Sequence, residues 1–467
     1  MLNKFFKTIH NKYSRLFEFI FFLRYLFIIF LSAIALFLTI PIFFDYEKKI
    51  KVIKLHLLKN YNYRLIDYEK IKYKIFPLPN LEIIDVQINL EKNQNNLIVR
   101  KMKIYPNFLS IYNYENFNTN RIVLKDTDFK FQILKFKPLM KNLFYKKRKL
   151  IFDNLNLTIM NETSSVFTLN NIKFTNFGYN RNLIKGKIFD KNFKVNIDDD
   201  FKSVKFNLIN SGIATDITFD ENKKKNLKFG IIKSKILNTN FKSNFEYDGK
   251  IIKIYNSYFR SKNLSFKNKS DIVLNPFLYI NSNFIIEELN TQIFKKVKFI
   301  EFLKLKDFII KINNKTEIKF EPKKFNRKFF DDLNLKIDLV YGRLNYSKKL
   351  LINDGIIKCD GSINFLEEYP LLFFDCYVKS ENKSKFLNKF SLKTKDNNEL
   401  FDLKMKGNLS VLNRKVNFKQ ILVNKNYKAT KEDLKYFDQT FENILFDGSF
   451  IEIFNSKKIK EFIKEIS

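Results

Sequence analysis

Cysteine and histidine carry the strongest catalytic and metal-binding chemistry, and this 467-residue chain has two of each. Four such side chains are too few for the zinc clusters, disulfide frameworks or histidine triads that these residues build. His10 and His56 have no catalytic partner nearby in the sequence, so we expect both to be ordinary surface residues. The sequence therefore predicts no metal site and no cofactor.

Glycines and carboxylates also lack the spacing of known catalytic motifs. The chain has no G-x-x-x-x-G-K-[ST] or G-x-G-x-x-G sequence that could hold a phosphate, and no G-x-S-x-G turn for a nucleophilic serine. The acidic run Asp198–Asp200 lies between two strand-like segments and is typical of a solvated turn. We predict that the protein is not an enzyme.

The net charge is +36, from 85 Lys and Arg against 49 Asp and Glu. A charge of this size attracts nucleic acid or anionic lipid headgroups. However, the lysines are spread along the chain, and the short basic runs 146–149 and 223–225 accompany no helix-turn-helix, RRM or zinc-finger pattern. We predict no nucleic-acid partner. A membrane-tethered nucleic-acid binder stays open as a third hypothesis, and it requires a cytoplasmic domain.

The two cysteines fall on adjacent strand-like segments that can be aligned as a hairpin centred between Glu367 and Glu368. In that register every facing pair is apolar: Ile357 with Val378, Cys359 with Cys376, Gly361 with Phe374, and Ile363 with Leu372. Cys359 and Cys376 can then form a disulfide if the compartment is oxidising. Two reduced, buried cysteines are the alternative.

Residues 25–44, YLFIIFLSAIALFLTIPIFF, carry no charge. An apolar helix of ~20 residues crosses the ~30 Å hydrocarbon core of a bilayer. The preceding segment 16–23 contains Glu18 and is interpreted as an interfacial helix. The stretch 45–47, Asp-Tyr-Glu, offers no cleavage site, which favours a retained anchor over a signal peptide. Basic residues flank both ends equally, so charge does not assign the orientation.

From about residue 64 to 425, apolar and polar residues alternate with period two, the pattern of strands with one apolar face. Short polar turns such as Asp248-Gly249 separate these runs, which predicts a long succession of antiparallel strands. A short amphipathic helix is expected over 48–58, with Asn60 or Asn62 as its left-handed cap. Further helical interruptions are expected near 293–303 and 323–330.

Two helices are expected to end the chain. Thr430 is an N-cap candidate with Asp433 three residues later, and the last helix begins near Ser456. Both are expected to cap the end of the sheet, with docking to a membrane or partner as the alternative.

The predicted fold class is therefore mainly β. An N-terminal transmembrane helix is followed by a long antiparallel, curved β-groove with a few short helices and two C-terminal helices. The expected divisions are the N-terminus and interfacial helix (1–24), the transmembrane helix (25–44), the elongated β-groove domain (45–425) and the C-terminal helical cap (426–467).

A long sheet with one apolar face must hide that face, either by closing into a sandwich or barrel or by forming an open gutter. An apolar gutter that begins at a membrane suits lipid acyl chains, because burying each methylene contributes ~0.8 kcal/mol. Candidate positions on its floor lie on the apolar sides of the predicted strands: Ile84, Val86, Ile88, Leu90, Leu335, Ile337, Leu339, Ile363, Leu372 and Phe374.

The N-terminal third resembles the AsmA family of Gram-negative envelope proteins. The likeness is an order of features: a single anchor, a short helix, and a P-x-P-x-L-x-L-x-x-V-like run matched by Pro77, Pro79, Leu81, Ile83 and Val86. It covers about residues 20–135, with weaker similarity near 333–365 and 403–423. The chain departs from the family pattern at residues 60–62, where a Thr-Gly is usual, and at Asp126, where a proline is usual.

The resemblance implies an inner-membrane anchor with residues 45–425 in the periplasm and residues 1–24 in the cytoplasm. It implies a non-enzymatic protein that binds phospholipid in its β-groove, moves it between the inner and outer membranes and supports outer-membrane biogenesis. The implied partners are phospholipids, the inner membrane, and the outer membrane or its assembly proteins. The alternative is a periplasmic structural or chaperone module for the assembly of outer-membrane proteins by strand addition.

Overall fold

The computed structural model describes residues 14–446 except for 91–94, 113–116, 133–142, 144–147, 162–163, 199–201, 223–226, 237–238, 263, 275–277, 290–305, 323–330, 353, 390–398, 411, 414 and 425. The helices are α1 (Ser14–Thr39), α2 (Tyr46–Tyr61), α3 (Lys306–Ile309), α4 (Lys383–Lys389) and α5 (Lys431–Phe446), with 3-10 turns at Ile40–Phe43 and Phe108–Ile111. The expected helices at 293–303, at 323–330 and after Ser456 lie outside the described residues, and so does His10.

Strands make up most of the described chain, as the period-two pattern predicted. They are β1 (Tyr63–Asp67), β2 (Lys70–Lys74), β3 (Asn80–Leu90), β4 (Asn95–Pro106), β5 (Thr119–Gln132), β6 (Leu150–Asn161), β7 (Ser164–Thr175), β8 (Leu183–Ile188), β9 (Lys191–Ile197), β10 (Ser203–Leu208), β11 (Ile213–Asn222), β12 (Leu227–Ile236), β13 (Thr239–Tyr247), β14 (Ile251–Arg260), β15 (Leu264–Val273), β16 (Tyr279–Leu289), β17 (Asn313–Phe320), β18 (Asp332–Val340), β19 (Arg343–Ile352), β20 (Gly355–Asn364), β21 (Leu371–Ser380), β22 (Phe401–Ser410), β23 (Lys415–Val423) and β24 (Tyr427–Lys428).

The strands belong to one 24-stranded sheet. From β8 to β24 each strand pairs with the next, antiparallel at every step except between β16 and β17, which are parallel. A parallel neighbour requires the chain to return to the starting rim, and the long connection from Leu289 to Asn313, which contains α3, makes that possible. Within the described strands the sheet is open, because β24 pairs with β23 while β1 and β2 both pair with β3.

The chain divides into two compact units. Unit 1 contains residues 1–130, 139–157 and 170–181, and unit 2 contains 131–138, 158–169 and 182–467.

In unit 1, α2 packs against β1 and β2 and contributes to the buried core. Asp45 caps its first turn by accepting hydrogen bonds from the amides of Glu47 and Lys48, and Asn62 ends it in the left-handed conformation. Ile53 and Leu57, which lie on one side of this helix, are fully buried. The amphipathic helix and its cap at Asn62 are therefore confirmed.

The predicted alternation of β3 is wrong at one position. Ile83 and Val86 are both fully buried, whereas Ile84 is half-buried and Asp85 is exposed. Asp85 adopts a positive φ of 47°. As a result, the successive side chains of Ile84 and Asp85 both point away from the buried face, and the alternation of the strand is inverted from there on. Ile84 therefore does not share a face with Val86, Ile88 and Leu90.

The same inversion continues on the neighbouring strands of unit 1. Asp126 on β5, Asn154 on β6 and Asn171 on β7 also have positive φ angles, of 50°, 66° and 52°. Asn154 Nδ2 donates a hydrogen bond to Asp126 Oδ1 at 2.6 Å. Asp and Asn are the non-glycine residues that most readily adopt this conformation, which makes the inversion tolerable at all four positions.

In unit 2, α5 begins as the capping-box pattern predicted. The Thr430 amide donates to Asp433 Oδ2 at 2.8 Å, and the Asp433 amide donates to Thr430 Oγ1 at 3.2 Å. The helix packs on β23 through Phe437 and Phe441. Gly355 of β20 lets the ring of Phe386 of α4 pack directly on the strand, because a Cβ at this position would lie 2.2 Å from the ring.

Candidate functional site

One face of the unit 2 sheet is apolar across many strands, and we call it the apolar face. Cross-strand partners lie on the same face of a sheet, so it can be followed from strand to strand. Ile217 of β11 opposes Ile232 of β12, and Ile272 of β15 opposes Ile280 of β16. The face continues through the opposed pairs Phe245–Ile254, Phe266–Ile286, Phe284–Ile318, Ile318–Leu335, Ile337–Tyr346 and Leu350–Ile357.

The apolar face of unit 2 is only half-buried, in contrast to the core of unit 1. Leu335 and Ile337 are half-buried, whereas Val86 and Ile88 of unit 1 have no exposed surface. The side chains between them on β18, Lys336 and Asp338, are exposed on the opposite face. A sheet with one half-exposed apolar face and one polar face offers a surface on which an apolar ligand can lie.

Within the described residues, helices cover the apolar face in two places only. Leu339 and Ile363 are 7% exposed and form a small cluster with Phe365, against which Ile309 of α3 and the following Ile310 pack. Leu372 and Phe374 are half-buried against the cluster that α4 and α5 complete. Among the predicted floor positions, Leu335 and Ile337 therefore have the most accessible surroundings.

A stripe of small polar side chains runs along the apolar face. Thr215 Oγ1 lies 2.9 Å from Ser234 Oγ, and Ser270 Oγ lies 2.8 Å from Ser282 Oγ, each pair on neighbouring strands. Ser282 in turn opposes Thr316. The Thr215–Ser234 and Ser270–Ser282 bonds, and the bond that the Thr316 hydroxyl donates to Asn314 Oδ1, limit the penalty for placing these groups among apolar neighbours.

Lys348 places a cation on the apolar face, where it opposes Leu335 on one side and Cys359 on the other. Burial lowers the pKa of the Lys348 amine, because an apolar environment disfavours the charged form. No carboxylate pairs with it among the described residues.

The cysteine register is confirmed pair by pair. Cys359 opposes Cys376, with Ile357 opposite Val378 and Ile363 opposite Leu372. Their sulfurs form a disulfide in the structure, which closes a 17-residue separation. This covalent link lies on the apolar face beside Lys348.

Three glycines of the apolar face lie beneath aromatic rings of a neighbouring strand. A Cβ at Gly230, Gly361 or Gly407 would lie within 3 Å of a ring atom of Phe245, Tyr346 or Phe374, respectively. Gly361 was predicted to face Phe374 of β21, and the register confirms this pairing. Gly361 also opposes Tyr346 on β19, and a Cβ at Gly361 would lie 2.6 Å from an atom of that ring.

His56 is buried, which corrects the expectation of a surface residue. Its Nε2 lies 3.1 Å from Thr119 Oγ1, and its Nδ1 lies 2.9 Å from Asn60 Nδ2. Burial lowers the pKa of the imidazole. These bonds join α2 to β5, so the role of His56 is structural. Among the described residues no group of His, Cys, Asp and Glu side chains could hold a metal ion.

The end of α1 is fixed to unit 1 by tyrosines. Tyr46 donates its hydroxyl to the carbonyl of Pro41 at 2.7 Å, Tyr73 donates to that of Leu38 at 3.2 Å, and Tyr112 donates to that of Phe37. The last carbonyls of a helix have no partner within it, so these bonds satisfy groups that would otherwise need water. Within the described residues, α1 with the following turn is the one helix long and apolar enough to cross a membrane.

Sequence reasoning missed most of the apolar face. Ile217, Ile232, Phe245, Ile272 and Phe284 were not singled out, although each lies in a short alternating run such as 213–219. Their signal was the alternation itself, which is weak in a single strand and becomes informative when the register aligns it across the sheet.

No protein-family model matches the chain, and no curated protein is significantly similar to it in sequence. The resemblance to the AsmA family therefore remains a hypothesis.

Proposed function

We propose that the chain is a non-enzymatic, membrane-anchored protein that binds phospholipid acyl chains on the apolar face of unit 2 and transports the lipid between membranes. The observation that carries this proposal is the half-exposed row of apolar side chains traced from Ile217 to Ile337. A packed core would bury these residues as completely as Val86 and Ile88 of unit 1.

Energetics support an acyl chain as the ligand. Each methylene removed from water contributes ~0.8 kcal/mol, so a chain of about 16 carbons that is only half covered still contributes roughly 6 kcal/mol before ordering costs. A face without a specific polar pocket gives little selectivity between chains, which suits a carrier of common membrane lipids better than a receptor for one ligand.

Anchoring of the chain by α1 belongs to the same proposal. The outward side chains of this helix, such as Phe27 and Ile29, are 59% and 69% exposed, as a lipid-facing helix requires. The periplasmic location and the transfer from inner to outer membrane are the part of the proposal that the AsmA resemblance suggests.

Site-specific photo-cross-linking tests the proposal. The full chain would carry benzoylphenylalanine at Ile337 on the apolar face, or at Asp338 on the opposite face as the matched control. We expect a phospholipid adduct, detected by mass spectrometry, at position 337 and not at 338. Equal labelling at the two positions, or none at 337 in a folded chain, would refute lipid binding on this face.

Substitution gives a second measurement. Ile337→Asp should lower the amount of phospholipid that co-purifies, while Asp338→Asn should not. Val86 is unsuitable for this test, because it is fully buried in unit 1 and an acidic side chain there would disrupt folding. Cross-links from position 337 to outer-membrane proteins without any lipid adduct would favour the chaperone function instead.

A further inference from the structure

Unit 1 contains a cavity at the C-terminal end of α1, apart from the apolar face of unit 2. Its volume is about 410 Å³, within the range of ~300–1,000 Å³ that is usual for small-molecule sites. The last turns of the apolar helix form one wall, and the ends of β4 and β5 form the other. The lining residues that matter here are Phe37, Pro41, Tyr105, Tyr112, Arg121 and Lys149.

Two cations line this cavity without a carboxylate. The guanidinium of Arg121 lies 4.3 Å from the ring centroid of Tyr105, and Lys149 Nζ lies 5.9 Å from that of Phe177. The amide of Ile122 donates to the carbonyl of Lys149 at 3.0 Å, so the two basic residues lie on adjacent segments. Neither one has an acidic partner in the part of the chain that the structure describes, and no Asp or Glu lines the cavity.

Aromatic rings also surround the cavity, and they indicate the level of the membrane at which it lies. The ring of Tyr112 stacks on Phe37 at a centroid distance of 4.5 Å and meets Phe44 edge-on at 5.7 Å. Tyrosines concentrate at the headgroup level of membranes, where their rings contact apolar chains and their hydroxyls contact polar groups. If α1 spans the bilayer, this cavity opens at the level of the lipid phosphates.

The abundant anion at that level is the phosphate of a glycerophospholipid. Arginine binds phosphate with two parallel hydrogen bonds, and lysine adds a point charge. The apolar wall, Phe37 and Pro41, is continuous with the exposed surface of α1, along which the acyl chains of the same lipid can lie. The site therefore fits a lipid that is still in the leaflet.

We propose that Arg121 and Lys149 bind the phosphate of an anionic glycerophospholipid in the leaflet at the C-terminal end of α1. This inference rests on the proposed membrane anchoring, but it does not require transport along the apolar face. It assigns unit 1 a headgroup site that is separate from the acyl-chain surface of unit 2.

Native mass spectrometry of the full chain, released from nanodiscs of equimolar phosphatidylglycerol and phosphatidylcholine, tests this proposal. We expect wild type to retain phosphatidylglycerol and the double variant Arg121→Gln/Lys149→Gln to retain about tenfold less, the effect of removing charge-assisted hydrogen bonds. The matched control is Arg64→Gln/Lys72→Gln, which removes two exposed cations of unit 1 outside the cavity and should change nothing.

Equal retention by both double variants would overturn the proposal. Displacement of phosphatidylglycerol by an equal concentration of inorganic phosphate would also overturn it, because the site would then recognise free phosphate. The cross-link at position 337 separates this inference from the proposed function. A lost phosphatidylglycerol adduct with an unchanged cross-link supports the headgroup site, and a missing cross-link alone counts against transport.

Discussion

The backbone amide of Phe418 donates a hydrogen bond to Asp438 Oδ1 at 2.6 Å, and that of Val416 donates to Glu442 Oε1 at 2.8 Å. Both donors lie on β23, on the side that faces away from β22. Two carboxylates on successive turns of α5 thus occupy strand donors that another chain could pair with. The C-terminal helix caps the edge of the sheet, as expected for the first of the two predicted helices.

Replacing Asp438 tests the importance of this edge contact. Asp438→Ala leaves the Phe418 amide without its acceptor and should lower the free energy of unfolding by about 1–2 kcal/mol. Asp438→Asn keeps an acceptor oxygen and should not lower it. Urea unfolding of the full chain in mild detergent measures both. If both variants are equally destabilised, the charge rather than the hydrogen bond holds the helix.

The same residue predicts a pH dependence. Burial raises the pKa of the Asp438 carboxyl above its ordinary value of 3.8. The folded chain therefore binds this proton more tightly than the unfolded chain, and the contribution of Asp438 to stability falls as pH rises from 3.8 through the raised pKa. Comparing wild type with Asp438→Asn over this window should show a smaller decline in the variant.

The disulfide predicts that unit 2 folds in an oxidising compartment. If unit 2 folds in an oxidising compartment, the denatured chain should react with no thiol reagent before reduction and with two equivalents afterwards. Reduction should lower the free energy of unfolding by about 3 kcal/mol, because the disulfide joins residues 17 positions apart and so restricts the unfolded chain. The variant Cys359→Ser/Cys376→Ser should be insensitive to reductant. Two reactive thiols in unreduced wild type would contradict a periplasmic unit 2.

Lys348 predicts that stability rises with pH. Because burial lowers the pKa of its amine below 10.5, the unfolded chain binds more protons in the window between the two values, and the folded state gains stability as pH increases through it. Lys348→Met should stabilise the chain by about 1 kcal/mol at pH 7 and by less near pH 10. Lys336→Met, on the exposed face, is the control. A stability gain that is constant with pH would argue against titration as its cause.

The positive φ of Asp85 predicts an unusual order of substitutions. Asp85→Val should lower the free energy of unfolding by about 1–3 kcal/mol, because a β-branched residue is strained in the left-handed region, and Asp85→Gly should be close to neutral. The control Gln87→Val places the same side chain at an exposed strand position two residues away. If Gln87→Val is as harmful as Asp85→Val, the loss comes from exposing an apolar side chain and not from the backbone conformation of residue 85.

Local sequence patterns predicted where the strands and helices lie, but they did not predict where a strand departs from regular alternation or pairs in parallel. The hairpin of Cys359 and Cys376 could be aligned because every pair in the register was apolar. The face of Ile84 could not be assigned, because the left-handed conformation of Asp85 is decided by the neighbouring strands rather than by its own residue type. The parallel pairing of β16 and β17 was also missed, since alternation is the same in either strand direction.

The apolar face was predicted as a type of surface, but only part of it as residues. Leu335 and Ile337 lie on it, whereas Val86 and Ile88 have the same alternating pattern and are fully buried in unit 1. Period-two spacing reports that one side of a strand is apolar. Whether a helix packs over that side depends on distant parts of the chain.

The parallel pairing of β16 and β17 exchanges the two rims of the unit 2 sheet. Before it, the turns that follow odd-numbered strands, such as 248–250, lie on one rim; after it, that rim carries the turns that follow even-numbered strands, such as 341–342. Fluorophores inserted at these two turns would therefore report from the same side of the sheet. Under the proposed transport, a phospholipid whose headgroup stays at that rim would pass both of them in turn.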